Sequence, residues 1–569
     1  MLSASLLEHL ALARVALFMI VLLLIVFAYV PVTRRRLSVW ALAIGAAWAI
    51  GAMTILFPSH TLFWGNQGDE TFQIAFMERV VSGQPFSDFF YANLPPFYPP
   101  LYFWIFGGLG SLFQWDGIDA AQWGTVITYA FLPFVALLFA KVSRWNREEQ
   151  QTTVLLSAAA LLLTHTEVLL LKPYEAAAAL LAVLWMTGFV KAWRANHGPL
   201  LRDALVLGIT GGLICLLYYF WFALLIPAMI IVMIHRDSLR VVAHRVGFLV
   251  LLTVCVAAVA APFAVPYLAS LITFGQENFQ ATYFFGTDIH LYAPWVGLSI
   301  AGLVSLGSIA TYVTRKVWTP AQIGSLALIT SIVIWHVVQL VILASGEKSV
   351  MLSKPFLFLG SIALFLPAAE WVSERISTSH PIASHPRRAL IAAIIILAPL
   401  LPNGFFLNDA RVQAQLEQNL LPKTSGFVIE NIKTYIPDYA DRLWLTSGLQ
   451  DINGMIPLTQ YLAWNPHFSH PAAHWGSRLE NLKRISSLSS AGEVAAAFDA
   501  VGVNALLLYK AIDDTGNRYY PFFYEADAWP NGTTSEEIRF SPALFSTEEW
   551  EIAHQDNEWM FLTRATSGE

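Results

Sequence analysis

Charged residues are scarce in this chain of 569 residues, because Asp, Glu, Lys and Arg together make up only 13% of it. Hydrophobic residues make up 56%, and the mean hydropathy is +0.56. This balance excludes an ordinary soluble enzyme. It predicts a polytopic membrane protein with room for about a dozen crossings of ~20 residues each.

Cysteine is nearly absent as well. Cys215 and Cys255 are the only two cysteines, and both lie within apolar runs, so we expect buried thiols and neither a disulfide framework nor a CxxC site. The sequence also lacks a glycine-rich phosphate loop, zinc-ligand spacing and an internal repeat, and no nucleic-acid partner is expected. The apolar run 10–30 is not followed by a small-residue cleavage site, so it is interpreted as a retained span.

Long apolar runs recur through the first 407 residues, and each is long enough to suggest a helix. They fall near residues 10–30, 38–57, 98–113, 121–140, 153–170, 175–192, 203–219, 220–234, 246–266, 294–313, 321–343, 351–371 and 389–407. The fold class predicted is a polytopic α-helical membrane protein with about 11–13 spans.

The basic residues between these runs predict their orientation, because cytoplasmic loops carry an excess of Lys and Arg. The basic segments are Arg34 to Arg36, Lys141 to Arg147, Lys191 to Arg202, Arg236 to Arg245, Arg315 with Lys316, and Arg387 with Arg388. The segments 58–120, 171–174, 267–293 and 344–350 are then expected to face outward, which in a bacterium is the periplasm.

Two stretches decide whether this topology is consistent. Residues 98–113 are short for a span, and a crossing there would put Lys141 to Arg147 outside. We therefore expect Pro99 to Phe113 to form a juxtamembrane or re-entrant helix within the first outer loop. The stretch 203–234 is either one long helix or two short crossings, and the sequence leaves both open.

The character of the chain changes after Leu407. Apolar runs shorten, polar residues become frequent, and strand-like stretches such as 505–509 occur. Residues 1–407 are thus predicted to be the transmembrane domain, with its first outer loop at 58–120. Residues 408–569 are predicted to be a soluble extracytoplasmic α/β domain.

The first outer loop carries the clearest chemical signal. Asp69 and Glu70 precede a mixed apolar and polar stretch at the predicted outer surface, where they could act in catalysis or simply cap a helix. The same loop holds Asp88, Tyr91 and Asn93. A carboxylate is suited to deprotonate an acceptor hydroxyl group, which is one requirement of a sugar transfer from a lipid phosphate.

Cations to hold the departing phosphate are a second requirement. Lys348 and Lys354 lie at the predicted outer ends of two helices, where a lipid phosphate would stabilise a lysine close to hydrocarbon. The alternative is that they extend to the lipid headgroups. Lys172, Glu175 and His336 are further polar residues near or within spans. Lys172 and Glu175 could instead form a structural salt bridge.

A family resemblance rests on three motifs: Gly68 to Phe72, the stretch Leu94 to Pro100 followed by Trp104, and His470-Pro471 followed by Arg478. With many spans and a C-terminal extracytoplasmic domain, the chain resembles the GT-C superfamily of polyprenyl-phosphosugar glycosyltransferases. Within it, the motifs resemble the galactan arabinofuranosyltransferases of mycobacteria and corynebacteria.

This resemblance implies transfer of D-arabinofuranose from decaprenyl-type phosphoryl-arabinose to an acceptor hydroxyl group on the periplasmic face of the inner membrane. It implies Asp69 as the catalytic carboxylate, with Glu70 as its neighbour in the motif. The expected donor-binding residues are Tyr91, Asn93, Tyr98, Lys172, Glu175, His336, Lys348 and Lys354. The expected acceptor-binding residues are His470, Trp475 and Arg478.

Several alternatives stay open at this point. The acceptor is a cell-wall polysaccharide or a surface protein such as pilin. Asp69 and Glu70 could share a divalent cation with Asp88, or act without a metal. The lipid could carry another sugar, and a transporter or ligase of lipid-linked glycans is the rival class. A transporter would be expected to show repeated halves with broken helices.

Overall fold

The computed structural model describes residues 4–29, 36–91, 93–143, 145, 147–164, 166–195, 201–234, 245–277, 300–346, 354–378, 410–421, 424–527 and 533–564. Most of the first 378 residues are helical. The helices, numbered in chain order, are α1 (Ala4–Tyr29), α2 (Leu37–Leu56), α3 (Asp69–Val81), α4 (Leu101–Phe113), α5 (Gly117–Val142), α6 (Glu148–Thr164), α7 (Thr166–Leu171), α8 (Pro173–Trp193), α9 (Leu201–Ile234), α10 (Val246–Phe274), α11 (Ile300–Thr314), α12 (Pro320–Ala344) and α13 (Ser361–Thr378), the last preceded by a π-helical turn (Phe356–Gly360).

Seven of the described helices are long and apolar enough to cross a membrane. They are α1, α2, α5, α8, α9, α10 and α12. This confirms the prediction of a multi-pass membrane protein with a helical core. The predicted last span, residues 389–407, lies outside the described residues.

Helix α9 reverses direction at Tyr218, whose backbone is extended (φ −163°, ψ 92°). The Trp185 indole N–H donates to the carbonyl of Leu207 (2.7 Å), and the ring of Phe222 lies 6.0 Å from the Trp185 ring. In an unbroken helix Leu207 and Phe222 would be about 22 Å apart. The stretch is therefore a hairpin of two short helical halves, which agrees with the second of the two alternatives for 203–234.

Helix α4 is too short to cross a bilayer. Its 13 residues rise about 20 Å, against a hydrocarbon thickness of about 30 Å. It packs against α3 and α5, where Gly107 lets the backbone approach Val80 and Gly124 accommodates Tyr102. This agrees with the prediction of a helix within the first loop rather than a span.

The C-terminal region, residues 410–564, combines helices with two small sheets. Its helices are α14 (Ala410–Asn419), α15 (Thr424–Tyr435), α16 (Trp475–Ser486) and α17 (Ala491–Ala500). Its strands are β1 (Leu443–Thr446), β2 (Thr459–Gln460), β3 (Ala505–Tyr509), β4 (Ala511–Ile512), β5 (Arg518–Asp527), β6 (Thr533–Phe540), β7 (Glu551–Gln555) and β8 (Trp559–Thr563). The predicted α/β character is thus confirmed.

The larger sheet has the strand order β2-β1-β3-β8-β7, and the smaller has β4-β5-β6. Strands β1 and β3 are parallel, with Leu445 opposite Leu506, whereas β8 is antiparallel to β3. All five residues of β8 are buried, as are four of the five residues of β3. These central strands form the core of the C-terminal region.

The C-terminal region packs directly on the segment between α2 and α5. The guanidinium of Arg79 in α3 donates to the carbonyls of Pro457 (3.2 Å) and Leu458 (2.9 Å) and to the Thr459 hydroxyl (3.1 Å). The Asn419 amide donates to the carbonyl of Phe63 (3.1 Å). The end of the helix bundle that carries this segment is called the loop end below.

Candidate active site

Asp69 is the first residue of α3, at the loop end. Gly68 before it has a φ of +56° and a ψ of −130°, a backbone conformation that glycine adopts far more readily than other residues, so the chain can turn sharply into the helix. The Asp69 carboxylate faces the start of α8 and forms an ion pair with the Lys172 ammonium group. The motif Gly68-Asp69 therefore places a carboxylate against another helix rather than in open solvent.

Two lysines and two carboxylates alternate at this position. The Lys172 Nζ lies 3.9 Å from the Glu175 Oε1, and the Lys354 Nζ lies 2.8 Å from the same oxygen. The Glu175 side chain is 0% exposed, whereas those of Lys172 and Lys354 are about one-fifth exposed. A buried carboxylate needs such partners. Four side chains are thus linked in sequence by ion pairs, and they are called the charge array below: Asp69, Lys172, Glu175 and Lys354.

Three tyrosines enclose this array. The Tyr98 hydroxyl donates to Glu175 Oε1 (3.3 Å) and lies 3.0 Å from the Tyr174 hydroxyl. The Lys354 ammonium donates to the Tyr218 hydroxyl (3.0 Å). Tyr218 is the residue at which α9 reverses, so the tip of that hairpin reaches the charge array. Desolvation raises the pKa of Tyr98 well above its usual value, so its hydroxyl stays neutral.

The charge array controls the pKa of Asp69. Desolvation by the surrounding protein raises this pKa. The charge and hydrogen bond of Lys172, together with the charges of His467 and Lys354, more than offset it, and the pKa falls to about 2. The carboxylate is thus ionised at neutral pH. His467, from the C-terminal region, is close enough to interact electrostatically with Asp69, and its own pKa is lowered to about 4 by burial. It therefore presents a neutral imidazole.

Glu70 faces away from this array. Its carboxylate oxygens accept hydrogen bonds from the backbone N–H groups of Trp64 (2.9 Å) and Asn66 (3.0 Å), and its side chain is buried. Burial raises the pKa of Glu70 to about 8, although these backbone hydrogen bonds act in the opposite direction. Glu70 is thus bound to the backbone of the turn that precedes α3. Its catalytic role stays a prediction.

Asp88 and Tyr91 organise the remainder of the loop. The Asp88 carboxylate accepts from the backbone N–H groups of Phe90 and Tyr91, both at 2.9 Å, and burial raises its pKa to about 7. The Tyr91 hydroxyl lies 2.7 Å from the Ser469 hydroxyl and accepts from the N–H of Ala463. Tyr91 thus joins the loop to the C-terminal region.

Asn93 and His336 do not touch the charge array through any contact that the structure describes. Asn93 is exposed and has a φ of +62°, at the tip of the loop. His336 is buried in α12, edge-on to the Phe356 ring at 5.7 Å. Lys348 lies outside the described residues. The donor-binding roles of these three residues stay predictions.

The predicted acceptor residues are held by their own region. The Trp475 indole N–H donates to the Ala463 carbonyl (2.7 Å). Arg478 donates to the carbonyls of Ala473 and Tyr461, both at 2.8 Å. His470 accepts from the N–H of Ala472 (2.9 Å), and burial lowers its pKa to about 4. These contacts hold the three residues in the part of the C-terminal region next to Tyr91, where the Arg478 guanidinium lies 5.0 Å from the centre of the Tyr91 ring.

Carboxylates that could hold a metal ion are dispersed in the loop. Asp69, Glu70 and Asp88 each have different partners, as described above. Within the part of the chain that the structure describes, His60, Asp116 and Asp119 do come together, with the His60 Nε2 3.0 Å from Asp116 and 3.6 Å from Asp119. His60 is exposed, so this group is a surface cluster.

Comparison with known protein families shows which family this chain belongs to. The model of the arabinofuranosyltransferase N-terminal domain matches residues 3–372, which include the loop, Asp69, Lys172, Glu175 and Lys354. This chain belongs to the arabinofuranosyltransferase family. It is accordingly a membrane glycosyltransferase, and the family resemblance indicated by the loop motifs is confirmed. No curated protein matches this arabinofuranosyltransferase significantly.

Solved structures similar to this arabinofuranosyltransferase are distant. ArnT from Cupriavidus metallidurans, bound to undecaprenyl phosphate, is 12% identical with a TM-score of 0.47, over 93% of this chain and 98% of its own. The oligosaccharyltransferase of Archaeoglobus fulgidus is 12% identical with a TM-score of 0.45, over 89% and 76%. The arabinofuranosyltransferase AftD from Mycobacteria is 14% identical with a TM-score of 0.45, over 84% and 37%.

Three residues of the site in this arabinofuranosyltransferase were not predicted from the sequence: Tyr174, Tyr218 and His467. Tyr174 directly precedes Glu175, and this adjacency to a predicted site residue is the signal that could have identified it. Tyr218 lies in an apolar run, where an aromatic residue is expected to pack in the core. His467 lies more than 390 positions after Asp69. Only the fold brings the last two to the charge array.

Proposed function

We propose that this arabinofuranosyltransferase transfers D-arabinofuranose from polyprenyl-phosphoryl-arabinose to an acceptor hydroxyl group, at the periplasmic face of a bacterial inner membrane. The observation that carries the proposal is the alternation of Asp69, Lys172, Glu175 and Lys354 at the loop end. One ionised carboxylate is available as a base, and two ammonium groups are available for a phosphate. Lys141, Lys191 and Arg245, which lie at the end of the bundle opposite the loop end, support the periplasmic orientation.

The reaction is a single displacement with inversion at the anomeric carbon. The Asp69 carboxylate takes the proton of the acceptor hydroxyl group as the acceptor oxygen bonds to that carbon. The bond between the anomeric carbon and the phosphate oxygen breaks, and its electron pair leaves with polyprenyl phosphate. Lys172 and Lys354 stabilise the negative charge that the leaving phosphate gains.

Lys172 couples donor binding to the basicity of Asp69. In the free enzyme the pKa of Asp69 is lowered to about 2, most strongly by Lys172, which makes the carboxylate a weak base. A donor phosphate that attracts Lys172 would draw the ammonium group away from Asp69. The pKa of Asp69 would then rise, because desolvation would remain. The base would thus become effective only when the donor is bound.

Glu175 positions the two lysines rather than contacting the reacting atoms. Its buried carboxylate accepts from Lys354 and lies 3.9 Å from Lys172. Without it, two ammonium groups in the same place would repel each other. Tyr98 and Tyr218 hold Glu175 and Lys354 respectively, and together they shape the wall against which the sugar would lie. Tyr91 supports this wall through Ser469.

The acceptor would reach Asp69 along the C-terminal region. His467 lies near Asp69, and Phe468 packs on Phe72 with a ring separation of 5.5 Å. Asp69 is thus covered from this side by the segment 464–468. His470, Trp475 and Arg478 build the surface behind it. A glycan chain and a surface protein such as pilin are the two proposed acceptor classes.

Label transfer from the donor tests this function. Membranes containing wild type, Asp69→Asn or Asp514→Asn would be incubated with labelled polyprenyl-phosphoryl-arabinose, and label leaving the lipid would be measured. Asp514 is an exposed residue of the C-terminal region and serves as the matched control. We expect transfer with wild type and Asp514→Asn and a loss of about 10²–10⁴-fold with Asp69→Asn.

The other outcomes each remove one part of the proposal. Equal transfer by wild type and Asp69→Asn would retain the donor and reject Asp69 as the base. Transfer of a polyprenyl-phosphoryl hexose in place of arabinose would reject the donor sugar. The product identifies the acceptor, because label in a water-soluble polysaccharide and label in a protein separate on a denaturing gel.

A further inference from the structure

A cavity lies between the helices at the end of the bundle opposite Asp69. It has a volume of about 410 Å³, which is within the range of about 300–1,000 Å³ typical of ligand pockets. Its walls come from the end of α8, the second half of α9, the residue before α10 and the start of α12. Trp193, the last residue of α8, lines it, whereas Glu175 of the charge array lies near the first residue of the same helix.

The walls of this cavity are mostly apolar. Val232 of α9, Leu326 of α12 and the Trp318 ring line it, together with other aliphatic side chains of the same helices. Val232 is buried, while Trp318 and Leu326 are half-buried. Such walls fit an acyl chain, which gains by leaving water. They offer little to a small hydrophilic ligand.

Two arginines give the cavity a positive charge. Arg194 and Arg245 both line the cavity, and no carboxylate is present among the lining residues that the structure describes. Arg194 is exposed, so it marks the open side of the cavity. Arg245 is held in place, because its guanidinium donates to the Trp193 carbonyl and lies 4.9 Å from the centre of the Trp193 ring. The cavity therefore combines an apolar interior with a positively charged entrance.

We infer that this cavity binds one anionic phospholipid, with its phosphate at Arg194 and Arg245 and an acyl chain along Val232 and Leu326. Guanidinium groups match phosphate geometry, and basic pockets between membrane helices recognise anionic headgroups. The positive-inside pattern puts this end on the cytoplasmic side, where anionic lipid headgroups attract basic residues. The inference does not depend on the proposed sugar transfer, because the cavity and the charge array are at opposite ends of α8.

Native mass spectrometry of the purified, delipidated full chain tests this inference. The protein would be incubated with phosphatidylglycerol or with phosphatidylcholine of the same acyl chains, and retained lipid would be counted. We expect preferential retention of one phosphatidylglycerol. Each arginine removed, in Arg194→Gln or Arg245→Gln, should weaken this binding by about fivefold. Lys316→Gln, which removes an exposed cation near the start of α12 but outside the cavity lining, should leave it unchanged.

A second variant separates binding from a general loss of charge or of fold. Leu326→Trp would fill the apolar part of the cavity while keeping both arginines, and it should abolish retention of phosphatidylglycerol with the melting temperature of the lipid-free protein unchanged. Equal retention of the two lipids, or unchanged binding in both Arg194→Gln and Leu326→Trp, would overturn the inference. Competition by inorganic phosphate alone, at equal concentration, would point to a free-anion site and would also overturn it.

Discussion

The Lys172 ammonium group pairs with the Asp69 carboxylate, although 103 positions separate the two residues along the chain. One residue begins a short helix of the loop, and the other directly precedes a membrane-spanning helix. This contact joins the predicted base to a predicted phosphate ligand. The consequences of that single ion pair can be measured.

Replacement of Lys172 by Met should change the pH profile of the enzyme. Lys172 is the strongest of the groups that hold the pKa of Asp69 at about 2, so wild type should show no acid limb in kcat/KM near neutral pH from this group. In Lys172→Met only the weaker influences of His467 and Lys354 still oppose the desolvation that raises the pKa, and an acid limb should move upward toward neutral pH. A profile that keeps its shape, with only a uniform loss of activity, would mean that Asp69 is not the titrating base.

Glu175 and Lys354 should behave as one energetic unit. Removing one partner of a buried ion pair typically costs about 3–5 kcal/mol, because the other charge stays behind. Lys354 keeps partial exposure, so we expect a smaller loss, of about 2 kcal/mol, for Glu175→Gln. The double variant Glu175→Gln with Lys354→Met should be less destabilised than the sum of the single variants. Thermal unfolding in detergent would measure this, and strict additivity would contradict the pairing.

The loop should lose stability as pH rises from about 4 to 8. Burial raises the pKa of Glu70 to about 8 and that of Glu78 and Asp88 to about 7. Above about pH 4 the unfolded state releases these protons while the folded state still holds them, so stability falls from there as pH rises. The fall ends once pH exceeds the folded pKa values, at about 7 for Glu78 and Asp88 and about 8 for Glu70. Each such proton accounts for at most about 1.4 kcal/mol per pH unit.

The melting temperature between pH 6.5 and 8 provides the measurement. His467 and His470 have pKa values of about 4 in the folded state, below the usual 6.5, so their contribution to stability changes only between about pH 4 and 6.5. Between pH 6.5 and 8 the slope therefore comes from the carboxyl groups. Glu70→Gln should flatten part of the slope and retain transfer activity, in contrast to Asp69→Asn. Loss of transfer in a well-folded Glu70→Gln protein would instead support the catalytic role predicted for Glu70.

Arg79 should be required for docking of the C-terminal region on the loop. Its guanidinium donates to two backbone carbonyls and a hydroxyl group of that region, and the side chain is buried. Arg79→Met removes these donors and leaves buried carbonyls unpaired, at a cost of about 1–3 kcal/mol for each unsatisfied group. We expect faster proteolysis of the C-terminal region and a lower melting temperature. Arg518 is an exposed arginine of the C-terminal region, so Arg518→Met is a suitable control. An equal effect in Arg518→Met would refute a specific role of Arg79 in docking.

The Tyr218 hydroxyl should assist donor binding through Lys354. Tyr218→Phe removes a hydrogen bond of 3.0 Å to the Lys354 ammonium but keeps the ring at the tip of the α9 hairpin. A single hydrogen bond of this kind contributes about 0.5–1.5 kcal/mol, so the KM for the lipid donor should rise by about two- to tenfold. The KM for the acceptor should stay unchanged. Tyr219→Phe, one position further along, provides the matched control, and a similar effect there would reject the assignment.

The helical membrane core could be predicted from the sequence because hydrophobicity is a property of contiguous residues. Runs of apolar residues long enough to cross a bilayer predict the helical core, and the loss of such runs after residue 407 predicts a different kind of structure, where the two sheets are found. Asp69 was predicted because its motif is contiguous. The short helix Leu101–Phe113 followed from its length together with the charge on the next basic segment.

Only the tertiary structure decided how distant groups combine. The two alternatives for residues 203–234 have the same hydrophobicity, and the contacts of Trp185 with both halves show the reversal at Tyr218. Glu175 could be paired with Lys172 from sequence proximity, but its closer partner is Lys354, 179 positions further along the chain. Propensity and hydropathy are properties of short segments, whereas ion pairs across a bundle depend on how the helices pack, which a local pattern does not encode.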